Sequence, residues 1–134
     1  MLSATACGTD REKQLVIFAA SSLTDVFQKL GEEYQLENPR VSVQFNFAGS
    51  SNLRMQLEYG AKADLYASAN SFQIDLALKD NAVQGIPKRF ANNELVLVTP
   101  KANTKVNSLK DLTNQDVKII FGASVVPIGV YSNI

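Results

Sequence analysis

The period of the apolar positions changes several times along the chain. Leu15-Val16-Ile17-Phe18-Ala19 is a short run rich in β-branched and aromatic residues, which predicts a buried strand. Leu23, Val26, Phe27, Leu30 and Tyr34 then recur at helical spacing, predicting one apolar face of a helix from about Leu23 to Glu37, stopped by Asn38-Pro39. Val41, Val43, Phe45 and Phe47 alternate with Ser42, Gln44 and Asn46, the mark of a second strand. Leu53 and Leu57 predict a short helix ended by Gly60. Leu65 to Ser68 reads as a third strand, and Asn70-Ser71 as the cap of a helix carrying Phe72, Leu76 and Val83. Glu94 to Thr99 and Val117 to Phe121 predict two further strands around a short helix at Ser108 to Leu112.

Strands separated by helices at this rhythm call for an α/β sheet. Gly, Pro and Asn interrupt the pattern from Gly85 to Asn93, a weak boundary. Val125 to Tyr131 begins a new loop-to-helix unit that is unfinished at Ile134, so the chain reads as a fragment of a longer one. At the other end, Met1 to Gly8 is small and apolar and turns polar at Thr9 to Lys13. Residues 1–14 therefore resemble the remnant of a secretory signal. The small residues before Cys7-Gly8 resemble a bacterial lipoprotein cleavage box, with Ala4 where Leu, Val or Ile is usual, which would make Cys7 a lipidation site. The alternative is a tail with an incidental thiol.

Composition narrows the chemistry. The 134 residues hold 13 Lys+Arg against 13 Asp+Glu, no His and one Cys. A neutral balance without a basic block gives no footprint for nucleic acid. Absence of His removes imidazole metal sites and His-based triads from this stretch, and one Cys cannot form an internal disulfide or a CxxC pair. No apolar run reaches the roughly 18 residues that predict a membrane-crossing helix.

The informative positions lie between strand and helix. Ala19-Ala20-Ser21-Ser22 follows the first strand, Ala48-Gly49-Ser50-Ser51 the second, and Gly122-Ala123-Ser124 the last, leading into Val126-Pro127-Ile128-Gly129. Open α/β sheets bind ligands outside the carboxyl ends of their strands, where helix N-termini present unpaired N–H groups. Each Ser taken alone is first of all an N-cap, and each Gly a turn residue. Their recurrence at equivalent turns points to a shared ligand. The sole nearby cation is Arg54, on the helix beyond Ser51. Neutral donors without acceptors suit a fully deprotonated tetrahedral dianion, whose oxygens only accept. A protonated anion would bring a hydroxyl against N–H groups, at about 1–3 kcal/mol.

Val16-Ile17-Phe18-Ala19-Ala20-Ser21-Ser22-Leu23-Thr24, Phe47-Ala48-Gly49-Ser50-Ser51 and Gly60-Ala61-Lys62-Ala63-Asp64-Leu65-Tyr66-Ala67-Ser68-Ala69 resemble, in order, signatures of the periplasmic molybdate-binding proteins. Asn93 to Val98 and Val126-Pro127-Ile128-Gly129-Val130-Tyr131 continue the match. The resemblance implies a two-lobed periplasmic-binding-protein fold of type II, with a first lobe over residues 15–91 and an incomplete second lobe over 92–134. It implies a solute-binding component of an ABC importer, without catalysis and with no cofactor beyond its cargo, molybdate or tungstate. By motif the metal oxyanion would be held by Ser22 and Ser50, through their hydroxyls and backbone N–H groups, and by the backbone N–H of Ile128. The implied partner is a membrane permease, and the implied setting is periplasmic or cell-surface, as a monomer.

Three departures stand out. Ile128 replaces the usual Ala, and Asn70 stands where Asp is common. A further backbone donor and a Tyr hydroxyl of the family have no counterpart, since Tyr131 belongs to the Val-Pro-x-Gly-x-Tyr motif itself. Sulfate is an alternative cargo, and a non-functional fragment an alternative state. A serine hydrolase is disfavoured, because Ala48-Gly49-Ser50-Ser51-Asn52 falls short of G-x-S-x-G and no His is present as base. Asp64 reads as structural, and Lys101, Lys105, Lys110 and Lys118 as a solvated face.

Overall fold

The computed structural model describes residues 13–92, 96–99, 101–102, 105–120 and 129. The chain divides after Gly85 into two compact units. In the first, three parallel strands form an α/β sheet: β1 (Lys13–Ala20), β2 (Val41–Ala48) and β3 (Leu65–Ala67), in the order β2-β1-β3. The register sets Ala20 against Ala48 and Ala19 against Ala67, so all three strands end at one edge. The helices are α1 (Thr24–Glu37), α2 (Ser50–Glu58) and α3 (Ser71–Lys79), and a 3-10 turn over Ser21–Leu23 leads into α1.

Alternation along β1 sorts the core into two layers. Ile17 and Ala19 face one side with Ala67, joined by Phe27 of α1 and by Val43, Phe45 and Phe47 of β2. Phe18 faces the other side with Leu53 and Leu57 of α2, joined by Tyr66 and Val83. Thus α1 covers one face of the sheet and α2 the other, with Leu53 and Leu57, the pair that predicts the second helix, on its inward side.

The inward line of α1 differs from the expected one. Leu23 and Phe27 pack against the core, but the buried helical position is Gly31, while Val26 is 60% exposed and Leu30 53%. The cause lies at Gly31: a Cβ there would stand 2.7 Å from the Phe45 ring. Without it the helix settles on the line 23–27–31, and Val26, Leu30 and Tyr34 turn to its flank. In α3, likewise, Phe72 is exposed and Val83 lies past the helix end, whereas Gln73 and Ala77 are buried. The Gln73 side-chain Oε1 accepts the Arg54 Nε–H of α2 at 2.9 Å, so a polar pair joins the buried face of α3 to α2.

Both short helices close in the left-handed region. After α2 the Gly60 N–H donates to Leu57 O and the Ala61 N–H to Gln56 O, with Gly60 at φ 92°. After α3 the Asn81 N–H donates to Leu78 O and the Ala82 N–H to Ala77 O, with Asn81 at φ 55°. These paired bonds satisfy carbonyls that a helix end otherwise leaves open.

In the second unit a 3-10 helix spans Leu109–Thr113, where a helix was expected, and Val106 is buried. Lys105 and Asp116 form an ion pair at 3.1 Å. The two strands expected here are not found among the described residues: 96–99 and 117–120 adopt no strand conformation, and Val96, Val98 and Ile120 are largely exposed. Apolar β-branched runs become strands only when a neighbouring edge pairs their N–H and C=O groups. No described segment of this unit supplies such an edge.

Candidate functional site

Parallel pairing brings the two serine-bearing turns side by side. Because Ala20 pairs with Ala48, the chain leaves β1 and β2 at the same height and enters the Ser21–Leu23 turn and α2 next to each other. The turn after β3, Ser68 to Asn70, joins them at the same edge, beyond the Ala19–Ala67 pair.

The serines are not caps. The position before the 3-10 turn is Ala20 and the position before α2 is Gly49, and neither start has a side-chain cap bond. Ser22 lies inside the 3-10 turn and is exposed, and Ser50 is the first residue of α2. The third start behaves differently: Asn70 caps α3 by accepting the Gln73 N–H at 3.1 Å. Among the described residues no side-chain acceptor meets the first N–H groups of these two adjacent helix starts, at the positive end of the helix dipole. Asp25, exposed, is the acidic residue in the first turn of α1, and α2 has none.

Ser50 is 1% exposed. Its hydroxyl oxygen accepts the Ala69 N–H at 3.0 Å, and its carbonyl accepts the Tyr66 phenol proton at 2.8 Å. Burial pushes the Tyr66 phenol above its ordinary pKa, with Glu58 adding to the rise and Ser68 and Arg54 opposing it. Sequence reasoning missed both Tyr66 and Ala69. The signal available was the alternation of β3, which puts Tyr66 opposite Leu65 and Ala67 and on the α2 face.

Arg54, on α2 beyond the second turn, is engaged elsewhere. Arg54 pairs with Glu58 on its own helix and lies 3.7 Å from the Asp80 carboxylate, while its Nε–H goes to Gln73. Asp64, expected to be structural, bonds the backbone of Val16. A cleft of about 490 Å³ opens at the opposite end of the sheet, beside Lys13, Glu37 and Arg40, far along β1 from the serines. Ile128 and Cys7 lie outside the described residues. Among the described residues no helix is long and apolar enough to cross a membrane, and no group of acidic, Cys or His side chains converges as a metal site.

Comparison with known proteins adds context to this geometry. A family model described as bacterial extracellular solute-binding protein matches residues 15–133. The molybdate-binding protein ModA of Mycobacterium tuberculosis is 40% identical over 128 residues, covering 95% of this chain and 49% of its own length. The putative ABC transporter substrate-binding lipoprotein YvgL of Bacillus subtilis is 32% identical over 140 residues, covering 96% of this chain and 51% of its own. A solved structure, the substrate binding domain of a putative molybdenum ABC transporter from Clostridium difficile, is 34% identical with a TM-score of 0.48. It covers 50% of this chain and 29% of that one. The chain spans about half the length of the curated relatives it matches.

Proposed function

The chain belongs to the bacterial extracellular solute-binding protein family, and from that premise we propose that it carries part of a molybdate site serving an ABC importer. Tungstate, of the same charge and geometry, is the second cargo. The observation that carries the reading is the pair of adjacent helix starts, at Ala20 and Gly49, whose N–H groups meet no side-chain cap among the described residues. The relatives named for molybdate binding support the choice of anion.

Capture here is hydrogen bonding without chemistry. Ser22 offers an exposed hydroxyl at the rim, and Ser50 offers a hydroxyl whose oxygen is already occupied by the Ala69 N–H. The first N–H groups of both turns add donors, and Ile128 would add its backbone N–H from the second lobe. A dianion held this way needs no counter-ion, because charge-assisted bonds spread its charge over several dipoles. In this reading residues 15–91 belong to the first lobe and 92–134 open the second, the protein works as a monomer outside the cytoplasmic membrane, and Cys7 anchors it through a lipid.

A thermal-shift titration with molybdate, tungstate, sulfate and phosphate tests the proposal. At 100 times its dissociation constant a ligand stabilises a folded protein by about 2.7 kcal/mol, a plain rise in Tm. Molybdate and tungstate are expected to raise Tm and phosphate to leave it unchanged. A cooperative melt indifferent to every anion overturns the site, and an equal response to sulfate overturns the choice of cargo.

A further inference from the structure

The Tyr66 phenol and the Ala69 N–H hold Ser50 at two atoms, although they belong to one short stretch of chain. Tyr66 donates to the Ser50 carbonyl at 2.8 Å, and Ala69 donates to the Ser50 hydroxyl oxygen at 3.0 Å. A carbonyl in the first turn of a helix already accepts an N–H from the next turn, so the phenol is a second donor on that oxygen. Its effect is positional. It ties the first turn of α2 to β3, whose own place is set by pairing with β1. The Tyr66 ring packs in the layer of Phe18, Leu53 and Leu57, which leaves the hydroxyl little freedom to swing away.

The Ala69 bond has a different consequence. A hydroxyl has one proton and two lone pairs. Once its oxygen accepts the Ala69 N–H, one proton and one lone pair remain on the Ser50 hydroxyl. Toward an anion, whose oxygens only accept, Ser50 can act only as a donor.

We propose that Tyr66 is a positioning residue for the oxyanion site, acting through Ser50, whose hydroxyl oxygen the Ala69 N–H holds from the same stretch of chain. The inference rests on the reading of Ser50 as an anion ligand. It predicts that loss of one hydroxyl that is not itself a ligand weakens capture.

The test compares wild type with Tyr66→Phe, which keeps the ring and removes the donor. Amide exchange is measured first, with no anion present. The Ala69 N–H is expected to be protected in wild type and to exchange about threefold to tenfold faster in the variant, the worth of one neutral hydrogen bond. The Leu57 N–H, at the far end of α2, should be unaffected. An unprotected Ala69 in wild type, or unchanged protection in the variant, overturns the proposal whether or not the chain binds an anion. Titration with molybdate follows. Affinity is expected to fall by about threefold to tenfold, measured at a temperature where both proteins are folded. Equal affinity overturns the positioning role. No binding by wild type overturns the reading of the site on which that role depends, while the exchange result still decides the hold of Tyr66 on Ser50.

Discussion

Asp64 and Val16 bond each other in both directions: the Val16 N–H donates to the Asp64 carboxylate at 2.8 Å, and the Asp64 N–H donates to the Val16 carbonyl at 2.8 Å. The clamp fixes where β3 starts against β1, and with it the height at which the turn after Ala67 meets Ser50. Asp64→Ala should cost about 1–2 kcal/mol by leaving the Val16 N–H without its partner. Asp64→Asn, which keeps an acceptor oxygen, should lose less. Urea unfolding of both variants decides it, and equal losses would mean the carboxylate acts by something other than this bond.

Gly31 gives a second stability prediction. Alanine is the better helix former by about 1 kcal/mol. Here its Cβ would sit 2.7 and 2.8 Å from two atoms of the Phe45 ring. That ring is itself stacked on Phe47 at 5.0 Å and set edge-on to Phe27 at 6.5 Å, so it has little room to yield. Gly31→Ala is expected to destabilise by about 1–3 kcal/mol, overpacking outweighing propensity. A variant more stable than wild type to urea would show that the aromatic trio can shift at no cost.

These two residues also mark what the sequence could and could not disclose. The strict alternation of Val43, Phe45 and Phe47 and the spacing of Leu53 and Leu57 made β2 and α2 legible, because burial on one face imposes those periods. The inward line of α1 was not legible, since a glycine has no hydrophobicity to register and its value lies in what it lets Phe45 do. Nor was the facing of α3, where Gln73, bonded to Arg54, is buried and the apolar Phe72 exposed. The serine-bearing turns were visible as recurring small polar clusters after strands. That Ser50 is held by Tyr66 and Ala69 was not, because it depends on β3 lying beside β1, a register that local pattern does not encode.

The 3-10 helix of the second unit carries a pH dependence. The Asp111 carboxylate accepts from the Asn107 N–H at 2.9 Å, the Ser108 hydroxyl at 3.0 Å and the Ser108 N–H at 2.8 Å. Those bonds, that of Asn107 foremost, hold its pKa below the ordinary carboxylate value. A lowered folded pKa means the ionised form is favoured in the folded turn. Its contribution is complete above about pH 4, the unfolded value, and is lost as pH falls through the lower folded one. The Ser108 amide resonance should therefore shift on acidification with a midpoint below pH ~4, and Asp111→Asn should abolish that step. A midpoint at the ordinary value would mean these bonds do not persist in solution.

Ser22 and Ser50 carry the sharpest separation between stability and capture. Ser22 is exposed and bears no cap bond, so Ser22→Ala should leave stability within about 0.5 kcal/mol, as surface changes away from special features do. Ser50 is buried, and its hydroxyl oxygen is the acceptor of the Ala69 N–H. Ser50→Ala strands that donor and should cost about 1–3 kcal/mol in urea unfolding. For the anion the expectation is symmetrical: each variant loses about 1–2 kcal/mol of molybdate affinity if its hydroxyl reaches the ligand. The pairing matters because a general loosening of the fold cannot mimic it. Weakened binding in Ser50→Ala alone does not separate anion contact from lost stability, whereas weakened binding in the structurally silent Ser22→Ala can come only from the anion contact. Undiminished molybdate affinity in Ser22→Ala, read beside an unchanged melt, removes Ser22 from the site.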